Sequence, residues 1–386
     1  MALKGRYIQI AGSANKAVAR ALLARSHALV RALVGEILRL DGGVVLGIGE
    51  DLRIDGADHD GALLFDWTIL EEVERHCRRL EEIGKTPTAP LARVITSQKN
   101  LARIPENRRT LWEYLLGAHA ISVRTLEVNW SAAAYVRQHQ VRDGDGLVIL
   151  GGGEGTEHLA SLYVGQGRVV VPLDAELGAN RDDGTGGAKR LYHHALANPD
   201  RFVLHDEHQF CNMLQLTSLS HGTDPAVAAS RIAAMLEHFA VPYAFCVRLL
   251  DPSSEKFSAV QNFFDNTVRP SLADLNFRNI EIGRNEAQHP FINMEIFERL
   301  HFADVAIADL TGLRPNNFLE AGYAFGRPKP VILTAMDGTP PPFDTQAVPI
   351  FFWAQTEPDV GRRRKFLEHW RLYVGRAPLV RPRELG

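Results

Sequence analysis

The chain has 386 residues, 45% hydrophobic and 23% charged, with a formal net charge of −3, which is long for one core and argues against a dedicated nucleic-acid binder. Cys77, Cys211 and Cys246 lie far apart with no CxxC pair, so neither a disulfide framework nor a zinc site is expected. No apolar run approaches the roughly 20 residues that span a bilayer, and the expectation is a cytoplasmic protein with no metal and no membrane partner.

YIQIA (7–11) reads as a strand, and Val18, Leu22, Leu29, Leu33, Ile37 and Leu40 recur at helical spacing over 17–40. GGVVLGIGED supplies a second strand at 44–48, a helix is expected over 66–83, and RVITS (93–97) is a third strand. A long helix then runs from Thr110 toward Val136, followed by the strands LVIL (147–150) and RVVVPL (168–173). Glycine turns follow three of these strands: AGS (11–13), GIGE (47–50) and GGGEGT (151–156). Strands alternating with helices imply a parallel sheet, so all three turns fall at its carboxyl edge, where nucleotides bind near a switch in strand order.

The pattern loosens over 206–242, where His221 to Pro225 precede the alanine-rich AVAASRIAAMLEHF. A second series follows: YAFCVRLL (243–250), a helix over 257–264, NIEIG (279–283), a helix over 291–300, ADVAIADL (303–310), a helix over 317–325, KPVILTA (329–335) and IFFW (350–353). The fold class is therefore α/β, two doubly wound, mainly parallel Rossmann-like or flavodoxin-like sheets in tandem. The expected division is a nucleotide-binding domain over 1–205, a helical linker over 206–241 and a catalytic domain over 242–386. The tail GRRRKFLEHWRLYVGR reads as a terminal helix with a solvated basic face, or as a polyphosphate or protein contact.

The densest chemical signal is FADVAIADLTGLRPNNFLEAGYAFGRPKPVIL (302–333). A strand delivers Asp309 at its carboxyl end, Asn316 or Asn317 caps the next helix, and Glu320 follows. Glu320 is either a site carboxylate or the capping-box partner of Asn317 three residues earlier. Asp309 is a ribose or Glu320 positioner, or a plain turn former. Arg248 and Arg284, near strand ends, face phosphates or make surface ion pairs. Asn316 is cap or ligand, and Tyr323 is core.

The 302–333 stretch, with FCVRLLDP and IGRNE upstream, resembles TIR-like and nucleoside 2-deoxyribosyltransferase-like domains, whose pattern AD.TG..PN..xE.GYA.G..KPVI carries an acidic residue beside a ribose. The resemblance covers most of 243–335 and puts Glu320 on the acidic position. It implies cleavage of the N-glycosidic bond of NAD+, which is substrate and not cofactor. Nicotinamide leaves as a neutral base, so the rate depends on a carboxylate stabilising an oxocarbenium-like ribose. Arg248, Arg284 and Asn316 would contact substrate, with Asp309 as the second catalytic residue.

The first half, over about 5–175, resembles the SLOG superfamily related to LOG phosphoribohydrolases, which carry a PGGxGTxxE motif. Glycine replaces the proline, Gly152, Gly153, Gly155 and Thr156 match, and Leu159 stands where the catalytic glutamate would be, with Glu154 or Glu157 as possible substitutes. This departure favours binding over hydrolysis. Such a domain fused to an NAD-consuming one resembles antiphage effectors of the Thoeris type, which implies a cyclic ADP-ribose-type activator and a homo-oligomer. The ligand-facing positions implied are Gly12, Ser13, Gly47, Gly49, Gly152, Gly153, Gly155 and Thr156. Arg108 or Arg109 would be the phosphate partner, or else a solvated helix start; Lys189 is a further candidate. Two other readings remain: a nucleoside N-glycosidase or 2-deoxyribosyltransferase, and a nucleotide-binding scaffold without turnover in which Glu320 only caps its helix.

Overall fold

The computed structural model describes residues 3–54, 61–127, 132–177, 187–218, 223–281, 292–342 and 348–374. It divides into two compact units, Met1–Ala240 and Val241–Gly386.

The first unit runs β1 (Tyr7–Ser13), α1 (Arg20–Arg39), β2 (Gly43–Leu46), α2 (Asp66–Glu82), β3 (Ala92–Ser97), α3 (Gln98–Leu101), α4 (Arg109–Gly117), β4 (Ile121–Leu126), α5 (Ala132–Asp143), β5 (Gly146–Gly151), α6 (Glu154–Val164), β6 (Val170–Pro172), α7 (Gly187–Ala197), α8 (Glu207–Gln215) and α9 (Pro225–Phe239). Its six strands lie in the order β4-β3-β2-β1-β5-β6, and every pairing is parallel. Helices cover the sheet, which is why β5 is buried at every position and reads GLVILG rather than alternating. α1 buries Leu29, Val30, Leu33, Val34 and Ile37 along one stripe and leaves its arginines outside it.

Two segments differ from the sequence expectation. The long helix over 110–136 does not exist as one element: α4 ends at Gly117, His119 takes a left-handed φ of 52°, and β4 pairs with β3 along six residues. β4 is a half-exposed edge strand, so its ISVRTL carries no apolar run; its β-branched residues suit an extended backbone. The 206–241 segment expected as a linker packs into the first unit. α9 lies along α1, and Phe210, Leu214, Ile232 and Leu236 join the same core as β1 and β5. Asp224 starts α9 by accepting the Ala226 N–H at 2.8 Å, with Pro225 at the first helical position.

The second unit runs β7 (Tyr243–Val247), α10 (Phe257–Phe263), α11 (Arg269–Asp274), β8 (Arg278–Ile280), α12 (Ile292–Phe302), β9 (Val305–Asp309), α13 (Pro315–Phe325), β10 (Val331–Met336), β11 (Ile350–Trp353) and α14 (Asp359–Val374). Its five strands are parallel in the order β11-β10-β9-β7-β8. The Phe263 and Trp353 rings stack at 4.5 Å and 5° in a core closed by Phe366 and Trp370 of α14. The basic tail helix is partly turned inward. Arg362 is 1% exposed and donates to Thr267 Oγ1 (2.8 Å), Ala354 O (3.2 Å) and Asn262 Oδ1 (3.2 Å).

Each sheet reverses its strand order once, between β1 and β5 and between β7 and β9. The amino ends of these two pairs are tied in the same way. Tyr7 N–H donates to Asp145 Oδ2 (2.8 Å) while Asp145 N–H donates to Tyr7 O (2.7 Å); Tyr243 N–H and Asp304 repeat the exchange at 3.0 Å in both directions. At the other end of the β1–β5 pair the backbones nearly touch, because a Cβ at Gly12, whose φ is 155°, would lie 1.8 Å from Leu150 O. We expect Gly12→Ala to lower the stability of the first unit by about 2–4 kcal/mol in denaturant unfolding. Gly49→Ala, where nothing lies within 4 Å of the added Cβ, is expected to change it by less than about 1 kcal/mol.

Candidate functional site

At the carboxyl edge of the first sheet, over the switch between β1 and β5, lies a cavity of about 690 Å³. Its floor is β1, from Gln9 to Ser13; Gly47, Leu64 and Asp66 line the β2 side, and Gly153 to Thr156 with Leu159 line the α6 side. Arg137 and Gln140 reach in from α5. The N-terminus of α6 opens on this space, and its first N–H groups have no acceptor within the helix, so the turn suits an anion. Gly152 acts from behind: with φ of 75°, its Cβ would lie 2.1 Å from Thr156 Oγ1, so only glycine lets the turn close onto the helix.

Six of the expected positions, Gly12, Ser13, Gly47, Gly153, Gly155 and Thr156, line the cavity. Gly49 and Gly152 do not; the Gly49 carbonyl accepts from Trp67 Nε1 at 3.3 Å. The arginine expectation changes more. Arg108 is 6% exposed, bonded to Glu71 (2.6 Å) and Asp51 (3.2 Å) beside the Trp67 ring, while Arg109 is on the surface paired with Glu106 at 2.9 Å. Neither lines the cavity, because each charge is already met by carboxylates. Lys189 likewise pairs with Glu176 at 2.5 Å. The guanidinium in the cavity wall is Arg137, whose Nε donates to His158 Nδ1 at 3.1 Å and whose ordinary value burial lowers. Burial also pushes the Asp66 carboxyl up to about 7. Sequence reasoning passed over both: Asp66 opens a helix, as aspartate commonly does, and Arg137 sits in a helix with no motif around it.

In the second unit, the equivalent switch brings together the ends of β7 and β9. Asp309 is fully buried there. It accepts from Thr334 Oγ1 (2.8 Å), Trp353 Nε1 (3.0 Å) and the Thr311 N–H (3.0 Å). Burial raises its pKa against the pull of these bonds. It joins β9 to β10 and β11 as an interior clamp and offers no surface to a substrate, contrary to the catalytic role expected for it. Arg248 is 9% exposed and committed to Glu281 (2.7 Å) and Gln261 (2.8 Å), not open to a phosphate. Burial alone would raise Glu281, but Asn279, Arg248 and Arg269 outweigh it and hold the carboxyl below its ordinary value. Arg284 lies outside the described residues.

α13 starts differently from either cap reading. Its N-cap is Arg314, Pro315 follows, and Asn317 turns inward to donate from Nδ2 to Asp309 O at 2.9 Å. Asn316 is exposed in the first turn and makes no side-chain cap. Glu320 is therefore in the second turn, past the capping-box position, with no hydrogen bond or ion pair among the described residues. It is half-buried, and burial pushes its carboxyl from 4.5 up to about 7. Tyr323, one turn on, bonds to His301 Nδ1 at 2.6 Å through its hydroxyl.

The N-terminal domain model of the Cap17-like ATP nucleosidases matches residues 3–223. The chain belongs to that family. Two curated proteins named ATP nucleosidase Cap17, from Escherichia coli and from its strain KTE188, are each 31% identical over 195 residues, 50% of this chain and 36% of theirs. The chain thus spans about a third of the length of these relatives, and its second unit lies beyond the residues matched to the family. A solved fungal multi-domain β-N-acetylglucosaminidase overlaps 94% of this chain and 49% of its own at 12% identity and a TM-score of 0.21, which carries no argument.

Replacing Asp309 with alanine would leave Thr334, Trp353 and the Thr311 N–H without an acceptor in the interior. We expect a loss of about 2–4 kcal/mol in the denaturant unfolding of the second unit.

Proposed function

We propose that this protein is a ligand-gated nucleotide N-glycosidase, an effector of bacterial antiphage immunity. In this reading the first unit holds a phosphate-bearing signal of the cyclic ADP-ribose type in its switch cavity. The second unit cleaves the nicotinamide–ribose bond of NAD+, with Glu320 as the stabilising carboxylate. The observation that carries it is Glu320 itself: a half-buried carboxyl beside the switch strand, without a partner among the described residues and relieved of any cap role. Family membership supports a nucleosidase, and the TIR-like pattern around Glu320 supports NAD+.

The chemistry needs little more. The C–N bond breaks with its electron pair going to the nicotinamide ring nitrogen, which becomes neutral on leaving, and positive charge spreads over C1′ and the ring oxygen of ribose. An ionised Glu320 either stabilises that charge or bonds to C1′, and water completes the hydrolysis. Of the other carboxyls at this edge, Asp309 is sealed, Asp251 is paired with Arg314 and Glu281 with Arg248. A single carboxylate suits a leaving group that needs no proton.

ATP is the second reading, favoured by the name of the relatives. Adenine leaves well only when protonated, so there Glu320 would have to act as the acid. The expected oligomer and the cytoplasmic location belong to this proposal as well.

Release of nicotinamide from NAD+ and of adenine from ATP by the purified protein, alone and with cyclic ADP-ribose isomers, tests both readings. Cleavage of nucleosides alone would favour the transferase instead, and no cleavage at all would leave the scaffold. Glu320→Gln is expected to reduce turnover by about two orders of magnitude or more with its unfolding midpoint kept; unchanged turnover removes Glu320 from the site. Because the ionised form acts, the rate with NAD+ should rise with pH toward about 7 and level off above it. For ATP the ordering reverses, with activity falling as pH passes about 7. Stability has its own sign: a carboxyl raised from 4.5 to about 7 in the folded state favours folding when protonated, so its contribution is lost as pH rises through that window, and Glu320→Gln removes the slope.

A further inference from the structure

We propose that the first-unit cavity takes its nucleotide in one orientation, the anionic group against the Gly153–Thr156 turn and Arg137, and a hydrogen-bonding group of the sugar or base against Asp66. Asp66 is then the specificity-determining residue of this cavity. The inference rests on the cavity being a nucleotide site, as proposed above, and adds which residue reads the non-phosphate part.

The placement of Asp66 is over-determined. Just before it, Ala14 N–H donates to Leu63 O at 2.8 Å and Ser13 bridges Leu64, which ties the loop to the carboxyl end of β1. On either side of it, fully buried His27 on α1 bonds to Ala62 O (2.8 Å) and Thr68 Oγ1 (2.7 Å), and Trp67 Nε1 reaches Gly49 O. The chain from 62 to 68 is thus fixed at five points. Yet the Asp66 carboxyl itself makes no hydrogen bond or ion pair among the described residues. Arg53 and Arg108 are spent on Asp51 and Glu71. A rigidly held acid facing a cavity without a structural partner is what a ligand contact requires.

The topology separates the two ends of the ligand. Asp66 comes from the β2 side of the floor, and the α6 turn from the β5 side. Gly155 adds to the anion wall, because a Cβ there would lie 3.1 Å from an Arg137 terminal nitrogen, so glycine lets the guanidinium rest against the first turn of α6. An anion at the opposite side would meet an acid instead. Between them, Gln140 is held by Gln9 (3.0 Å) and by Ile95 O (3.4 Å), and Tyr163 OH donates to Gln9 at 3.0 Å, a neutral chain whose amides are already engaged. Burial raises Asp66 to about 7, so near neutral pH it can both donate to and accept from a ribose hydroxyl or a base edge.

The test is a titration of the full chain, and of its Asp66→Asn and Arg137→Gln variants, with NAD+, ATP, ADP-ribose, cyclic ADP-ribose and inorganic pyrophosphate, alongside thermal unfolding of each. Arg137→Gln should weaken the bound nucleotide and pyrophosphate alike, by about tenfold or more. Asp66→Asn should weaken the nucleotide by about tenfold while pyrophosphate binds as before or tighter, with the unfolding midpoint kept. Equal losses for nucleotide and pyrophosphate in Asp66→Asn, or no loss for either, overturn this inference and leave the nucleotide cavity standing. Pyrophosphate that does not compete with the nucleotide overturns the orientation. If no probe binds the unaltered protein, the cavity reading falls and this inference with it.

Discussion

The two sites depend on how the strand pair at each switch point is held. In both units, a tyrosine at the start of the first strand exchanges two hydrogen bonds with an aspartate that precedes its switch partner, Tyr7 with Asp145 and Tyr243 with Asp304. The exchange fixes register at the amino ends of β1–β5 and β7–β9. Parallel ladders carry that register to the carboxyl ends, where helices on opposite faces leave a gap. Gly12 then admits a close approach of the Leu150 backbone, and Gly152 admits the Thr156 side chain against the turn; the first unit's cavity lies over this closeness.

Charge inside this protein is mostly structural. Arg108, Arg248 and Arg362 are all nearly sealed from solvent, and each is satisfied by carboxylates, amides or carbonyls. Leaving a buried guanidinium unpaired would cost several kcal/mol, so an arginine drawn into the interior consumes the acids around it. Asp66 in the first unit and Glu320 in the second are different: neither carboxyl has a hydrogen bond or ion pair among the described residues. Both carboxyls are raised to about 7 by burial, with no ion pair to a cation among the described residues. The same physical situation recurs in two unrelated surroundings, and the proposals for Asp66 and Glu320 both rest on it.

Family membership and geometry bear on different parts of the chain. The match to the Cap17-like ATP nucleosidases runs over 3–223, which includes the switch cavity and most of the helices that pack behind it. The carboxylate proposed for glycosidic cleavage lies beyond that match, on α13. The proposed division of recognition from reaction follows this boundary.

The sequence by itself determined most of the strands and helices of both sheets, because parallel strands covered on two faces must be apolar runs and their helices must carry a stripe. It also placed the glycine turns, since a turn needs its glycines next to one another, and it set Glu320 on the helix after β9, though in the first turn rather than the second. It missed β4, whose exposed edge leaves no apolar run, and took α8 and α9 for a linker because α9 packs on α1, some 190 residues away in the chain, and α8 packs on α9. Only the tertiary structure decided which charged groups are open. Arg108 and Asp309 have the right spacing but are taken up by partners distant in sequence, while Arg137 and Asp66 line a cavity assembled by β1, α2, α5 and α6. Long-range pairing sets the availability of a charge, and no window of sequence contains both members of such a pair.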